Sequence, residues 1–339
     1  MSRYDRQIKL KEVGPEGQEK LRTAKVLIVG VGGLGCPAAM YLVGAGVGKI
    51  GLMDHDKVDI SNLHRQVLFQ ESDVGKPKAL VAKEHLEKQN SEVQFESYEE
   101  PLTSDNAQKI ISQYDVILDG TDNFETKYLL NDACILADKP WVFASIYKNE
   151  GQLSVFNYSD GPTYRCVFPK STRQNISCEA TGVLGVLPGI LGTLQAAEVL
   201  KIILGVGEVE VLSGKIKLIN MMQASEQTIK INKRPEEIEK IRKEGISPVY
   251  IDCDLKYTEH WYLDVREVFE QPKPKGKKVL SIPLNDLTSR YQEIPNNQEV
   301  FVFCQSGKRS KNAIEILKNE FGFHNLKNVE GGIETIIDG

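Results

Sequence analysis

One stretch, "VLIVGVGGLGCP" from Val26 to Pro37, limits the fold more than any other. Apolar residues run directly into Gly30, Gly32 and Gly35, and "IGLMD" then closes a second apolar run on Asp54. Glycines at this G-x-G-x-x-G spacing permit a tight strand-to-helix turn and a close phosphate approach, and an acid after the next strand suits a ribose hydroxyl. The pattern is that of a βαβ unit that holds a dinucleotide. It does not by itself say which nucleotide, because the same cradle serves several chemistries.

The rest of the first half fits that unit. From Lys25 to Ser145, apolar runs "KVLIVG", "KIGLMD", "VQFESY", "DVILDG" and "WVFAS" alternate with helical stretches such as "KALVAKEHLEKQN" and "DNAQKIISQY". Parallel strands need crossovers of this length, so the fold class is α/β with a doubly wound, mainly parallel Rossmann-like sheet. "GQLSVFNY", "KIKLIN" and "QTIKI" read as further strands around a long apolar helix, and "NKRPEEIEKIRKEGISP" as a charged linker helix bounded by prolines. Residues 1–247 therefore make one domain. Residues 248–339 make a second, small α/β domain with strands in "WYLDVRE", "KVLSIP" and "EVFVFC" and a helix from Gly307 to Phe321. "PKPKGKK" between them is read as a solvated loop.

Composition removes some partners. A formal net charge of -5 over 339 residues argues against nucleic acid or an acidic membrane surface. The N-terminal "MSRYDRQIKLKE" is charged from its third residue and has no apolar run of signal-peptide type, so the expected location is cytoplasmic. "GVLGVLPGILGTLQAAEVLKIILGVG" carries Pro188, Gln195, Glu198 and Lys201 and reads as a core or subunit-contact helix, not a membrane span. The six cysteines contain no C-x-x-C pair and read as reduced thiols.

The choice of nucleotide rests on residues after the cradle. A nucleotidyl transfer site needs positive charge, because an anionic nucleophile must approach a triphosphate. "DHDKVDISNLHRQ" follows Asp54, "VGKPKA" sets Lys76 and Lys78 at a helix start, and "DGTDNFETK" follows the fourth strand. Arg65, Lys78 and Asp122 all fall near carboxyl ends of strands, where open α/β sheets bind ligands. Singly, Lys78 reads equally as a solvated lysine and Asp122 as a helix N-cap. Together they fit ATP better than NAD.

In order and spacing, "RYDRQ", "GVGGLGCP", "DHDKVDISNLHRQ", "VGKPK" and "DGTDN" resemble the MoeB/ThiF family of ubiquitin-activating-type enzymes, over roughly Ser2 to Asn232. The resemblance implies adenylation, with MgATP, of the C-terminal glycine of a ubiquitin-like sulfur-carrier protein. It implies that Gly30, Gly32 and Gly33 line the phosphate loop and that Asp54 holds the ribose. Ser61, Asn62, Leu63, His64, Arg65, Lys78, Asp122 and Asn123 complete the nucleotide site, with Asp122 as the Mg²⁺ ligand. Arg6 resembles an arginine lent by the partner subunit, which implies a homodimer. The family commonly carries two C-x-x-C pairs for a structural zinc. Here Thr163 and Cys166 stand at the first and no cysteine at the second, so no zinc is expected and packing of the surrounding strands is expected to replace its cross-link. Cys178, in "NISCEATGVLG", resembles a loop cysteine that links covalently to the carrier, and reads equally as a small buried hydrophobe. Cys36, Cys134 and Cys253 read as packing residues.

"VFVFCQSGKRS" puts Cys304 at a strand end, followed by a turn into a helix with Gly307, Arg309 and Ser310. Taken alone, Cys304 reads first as a buried strand-end cysteine; amide groups there, the helix N-terminus and a nearby arginine would stabilise an anionic sulfur, which suits a persulfide carrier. With "YLDVRE" before it and "NVEGG" after it, the segment from about Trp261 onward resembles a rhodanese domain, with Asp264 and Arg266 in its first motif. "PKPKGKK" replaces the Gly-His-Ile-Pro-type turn of that family. The expected function is adenylyltransferase with sulfurtransferase activity, its sulfur donor a cysteine desulfurase or thiosulfate. The carrier, ThiS-like or MoaD-like and ending in Gly-Gly, decides between thiamine, molybdopterin and tRNA thiolation. A non-catalytic scaffold for a ubiquitin-like partner and an NAD-dependent oxidoreductase are the alternatives.

Overall fold

β1, Lys25–Val29, is a strand because its β-branched and leucine side chains are buried on both faces of a sheet. Val26 and Ile28 enter one apolar cluster, and Leu27 and Val29 enter another on the opposite face. In the computed structural model, which describes residues 3–169, 182–205, 210–246, 252–268, 270 and 272–337, the chain divides into two compact units, Met1–Val249 and Tyr250–Gly339.

In the first unit α1 (Asp5–Ile8) and α2 (Gly14–Thr23) precede β1. They are followed by α3 (Gly35–Ala45), β2 (Lys49–Met53), α4 (Lys78–Gln89), β3 (Gln94–Tyr98), α5 (Ala107–Ile111), β4 (Val116–Asp119), α6 (Phe124–Ala137), β5 (Trp141–Tyr147) and β6 (Glu150–Phe156). Next come α7 (Tyr164–Val167), α8 (Val186–Leu204), β7 (Lys215–Asn220), β8 (Ser225–Lys230) and α9 (Pro235–Glu244). The eight-stranded sheet runs β3-β2-β1-β4-β5-β6-β7-β8, parallel through β5 and antiparallel beyond it. The strand order reverses between β1 and β4, the place where a doubly wound sheet opens a ligand crevice.

The apolar α8 packs within this unit. Gly192 lies so close to α3 that a Cβ on it would meet Leu34 O at 2.2 Å, and Leu187, Leu191, Ala196 and Val199 enter the core with Val142 and Leu153. Gln195, also on α8, donates from Nε2 to Asp119 O at 2.7 Å and Val142 O at 3.0 Å, joining the ends of β4 and β5. α9 is more than a linker: Ile238 and Ile241 pack on Ile135 of α6.

The second unit has β9 (Asp252–Asp254), β10 (Trp261–Asp264), β11 (Lys273–Lys275), β12 (Val279–Ser281), α10 (Leu287–Arg290), β13 (Val300–Phe303), α11 (Lys308–Phe321) and β14 (Leu326–Asn328). Its four-stranded parallel sheet has the order β12-β10-β13-β14. "PKPKGKK" is not simply a solvated loop: Lys273–Lys275 pairs in parallel with Asp252–Asp254, and the charged composition had concealed this edge pairing.

Candidate functional site

The glycines of the first motif divide into two kinds. Gly30 sits at φ +89°, and Cβ atoms on Gly35 and Gly120 would stand 2.1 and 2.2 Å from its carbonyl oxygen. These three pack backbone against backbone where β1 and β4 end. Gly32 is different, since a Cβ there would meet only Gln66 Nε2, at 3.6 Å. Gly33 faces Pro188 of α8 and Arg65, whose Cγ would lie 3.6 Å from its Cβ. Gly30 and Gly35 thus form the turn, and Gly32 and Gly33 line the space beside the helix N-terminus, whose first amides have no intrahelical acceptor.

Asp54 follows β2 and is held by this loop. Its Oδ2 accepts from Val31 N–H at 2.8 Å and its Oδ1 from Asp56 N–H at 2.9 Å, which leaves one lone pair on each oxygen. Burial raises its pKa, and the nearby Lys78 ammonium opposes that rise. Lys78, first residue of α4, is 5% exposed and places Nζ 3.0 Å from Asp56 Oδ2. Burial works against its charge, but Asp54, Asp56 and Asp122 more than offset this, so its pKa is raised and it stays an ammonium. Asp54, His55 and Asp56 bring ligand atoms within 4.8 Å of one another. Asp122, the residue expected to hold Mg²⁺, stands outside that group, on the Lys78 side.

The 3₁₀ turn Ile60–Asn62 carries the other polar contacts. Asp59 caps it through Ser61 N–H at 2.8 Å and the Ser61 hydroxyl at 2.5 Å. Arg65 donates to Asn62 Oδ1 at 2.8 Å and Ser61 O at 3.2 Å, and lies 2.9 Å from His64 Nε2. Leu63 is partly buried and packs on the core. Gly185, at the re-entry of the chain before α8, abuts His64, since a Cβ on it would meet His64 O at 2.4 Å. Cys178 lies outside the described residues.

After β4, Asp122 is exposed, and it is Asn123 that caps α6 by accepting from Thr126 N–H at 2.8 Å. Asp122 is therefore not the N-cap. The loop rests on a buried network that sequence inspection passed over. Lys127 on α6 donates to Asp119 Oδ2 at 2.8 Å and to the carbonyls of Thr121 and Ala144 at 3.0 Å. Asp119 Oδ1 accepts from Thr121 N–H at 3.0 Å and its hydroxyl at 2.6 Å. The available signal was an acid ending an apolar strand eight residues before a lysine on the buried face of a helix.

Arg6 lies elsewhere. Its motif grips the far ends of two helices: Gln7 donates to Ala45 O at 3.0 Å, Arg3 to Gln89 O at 3.0 Å, and Tyr4 to Glu92 at 3.0 Å. Those helix C-termini lie one helix length, about 15 Å, from the glycine loop at the start of α3. Arg6 is exposed there and not among the residues around Lys78.

Cys166 makes a cross-link of its own kind. Its Sγ accepts from Thr163 N–H and Arg234 N–H, both at 3.3 Å, and lies 3.4 Å from the Thr163 hydroxyl. Arg165 beside it makes a buried two-point pair with Asp132, at 2.7 and 2.8 Å. Hydrogen bonds of a thiol tie α7 to the start of α9. Cys36 and Cys134 are fully buried, as packing residues should be, and burial pushes the Cys36 thiol up to about 12. The side chain of Cys253 lies outside the described residues.

In the second unit Cys304 is 1% exposed at the end of β13. Gly307 N–H donates to its Sγ at 3.1 Å and Ser310 Oγ lies 3.5 Å from it. Burial alone would raise the thiol pKa, but the Ser310 hydroxyl and the amides of Ser310, Ser306 and Gly307 bring it below the ordinary value. Gly307 holds φ +88° and opens α11, so the amides converge on the sulfur. Asp264 and Arg266 form a fully buried pair at 2.8 Å, and Arg266 also donates to Pro272 O at 2.8 Å and Gln305 Oε1 at 3.4 Å, which braces the loop from below. Arg309 donates from Nη1 and Nη2 to Glu270, at 2.5 and 2.6 Å, which raises its pKa, and it lies near enough for the Cys304 thiolate to raise it further.

The chain matches the ThiF family over residues 4–240. It belongs to that family. This ThiF-family chain also matches the rhodanese-like domain over residues 256–338. It is 48% identical over 242 residues to a sulfur carrier protein adenylyltransferase of Thermus thermophilus, covering 69% of this chain and 89% of that protein. It is 37% identical over 382 residues to an adenylyltransferase and sulfurtransferase MOCS3 of Anopheles gambiae, covering 99% of this chain and 86% of that one. Among solved structures it resembles E. coli MccB with ATP, at TM-score 0.57 and 27% identity over 64% of this chain and 66% of that chain.

Proposed function

We propose that this chain is an ATP-dependent adenylyltransferase of a ubiquitin-like sulfur-carrier protein and that its second unit supplies sulfur through a persulfide on Cys304. What supports the proposal is that Gly33 packs beside Arg65 and that Lys78 feels the charges of Asp54, Asp56 and Asp122, in a chain whose relatives bear both activities in their names. Lys78 and Arg65 oppose the phosphate charge as the carrier's C-terminal carboxylate attacks the α-phosphorus. The P–O bond to the β-phosphate breaks, pyrophosphate leaves, and an acyl-adenylate remains. Mg²⁺, held by Asp122, would neutralise phosphate charge. The Cys304 persulfide then attacks the acyl carbon and AMP leaves; a second thiolate attacks Cys304 Sγ of the resulting acyl disulfide, forming a disulfide with Cys304 as the thiocarboxylate leaves with the electron pair.

Arg6 is assigned to the crevice of a second subunit in a homodimer, supported by its position a helix length from its own. The carrier is a small protein ending in Gly-Gly, of ThiS-like or MoaD-like type, and the protein works in the cytoplasm without nucleic acid, membrane or structural zinc. Carrier-dependent ATP–pyrophosphate exchange tests the proposal directly. Exchange that requires both ATP and a Gly-Gly carrier supports it, and binding of the carrier without exchange would leave only a scaffold.

A further inference from the structure

Two arginines around Cys304 are paired with carboxylates. Asp264 and Arg266 neutralise each other without solvent exposure. Arg309 starts on the first turn of α11, the side from which the loop amides face the sulfur, and its Nη1 and Nη2 both donate to Glu270. Glu270 is fixed in turn, because its Oε1 accepts from Glu267 N–H at 2.8 Å. Although burial works to raise the carboxyl pKa of Glu270, the Arg309 guanidinium holds it below the usual range, so the pair stays ionised. Lys273, the other partly buried cation on this side, donates to Glu267 O at 3.2 Å. Lys308 projects into solvent.

Taking Cys304 as the sulfur carrier of the previous subsection, we propose that Glu270 is a specificity-determining residue: by engaging Arg309 at two points it makes the loop selective for sulfane sulfur borne on a thiol over dianionic thiosulfate. With either donor the Cys304 thiolate attacks the outer sulfur, a new S–S bond forms, and the donor's S–S bond breaks. From a thiol persulfide, the leaving group is a thiolate that carries away the electron pair and a single negative charge. From thiosulfate it is sulfite, with two negative charges. The amides of Ser306, Gly307 and Ser310 serve the attacking sulfur in both cases. Only the dianion requires an additional uncompensated cation, and two-point pairing with Glu270 neutralises the partly buried one, Arg309.

The test uses the full-length protein, with sodium thiosulfate and cysteine persulfide as probes and intact-mass detection of one sulfur added to Cys304. Cys304→Ala defines the background. Glu270→Gln keeps the size and a hydrogen-bond acceptor but removes the charge. The ratio of loading rates, thiosulfate over cysteine persulfide, should rise about tenfold or more, the size expected when one charge a few ångström from a dianion is removed in a partly buried site. Arg309→Gln should lower the same ratio, because Glu270 is then left without its counter-charge. A ratio unchanged in Glu270→Gln that still loads from cysteine persulfide overturns the proposal. So does a wild-type protein that prefers thiosulfate. Failure of wild-type Cys304 to load from either donor is a separate result, which overturns the persulfide role itself.

Discussion

Lys127 holds its ammonium 2.8 Å from Asp119 Oδ2 with both side chains out of solvent, and the same ammonium supports the carbonyl of Thr121, one residue before Asp122. The pair therefore fixes both the end of β4 and the loop that carries the proposed metal ligand. Lys127→Met should leave Asp119 as an uncompensated buried charge and cost about 3–5 kcal/mol. Urea denaturation measures this. The double change Lys127→Met with Asp119→Leu should recover a large part of the loss, and no recovery would mean that Lys127 acts through something other than this charge.

Asp122→Ala should abolish pyrophosphate exchange while the unfolding free energy from urea denaturation stays within about 0.5 kcal/mol of the parent, because the side chain is exposed. Near-normal exchange by a folded Asp122→Ala protein rejects the metal role.

If Arg6 serves a second subunit, a mixture of Arg6→Ala and Asp122→Ala proteins should regain activity that neither has alone, through hybrid dimers with one intact crevice. The expected ceiling is about a quarter of wild type, since half of the random dimers are hybrids and each has one working site. Subunit exchange followed by native mass spectrometry, with no return of activity, excludes action in trans.

The two kinds of glycine should separate fold from chemistry. Gly35→Ala sets a methyl 2.1 Å from Gly30 O and should prevent stable folding of the first unit. Gly32→Ala meets only Gln66 Nε2, at 3.6 Å, so the protein should fold and lose ATP binding. Circular dichroism and nucleotide titration distinguish the two, and a Gly32→Ala protein with unchanged ATP affinity would remove that backbone from the phosphate cradle.

The pH dependence of Cys304 follows from its hydrogen bonds. Its folded pKa lies below the ordinary thiol value because the anion accepts from Ser310 and the loop amides, against the effect of burial. The rate of iodoacetamide alkylation should therefore reach its plateau at a lower pH than free cysteine does. Ser310→Ala removes one donor to the anion, so the midpoint should move upward by about one pH unit and alkylation near pH 7 should slow. A midpoint that stays in place would assign the stabilisation to the amides alone.

Much of this was local in the chain. Alternating apolar runs and helical stretches determined a parallel sheet, because backbone hydrogen bonding and the burial of apolar side chains leave few other solutions for such a pattern. Glycine spacing determined the turn after β1, since only glycine tolerates φ +89° at Gly30 and the contacts of Gly35 with Gly30 O. Other features depended on residues far apart in sequence. Gly120 closes on Gly30 across 90 positions, Gln195 joins β4 to β5, Cys166 reaches Arg234, and Arg309 is paired by Glu270. Which charge neutralises which is a matter of distance and burial, and sequence spacing carries neither once the chain folds back on itself. Motifs named Lys78, Asp122 and Cys304, and the tertiary structure decided that Lys78 remains charged, that Asn123 and not Asp122 caps its helix, and that Glu270 pairs with Arg309.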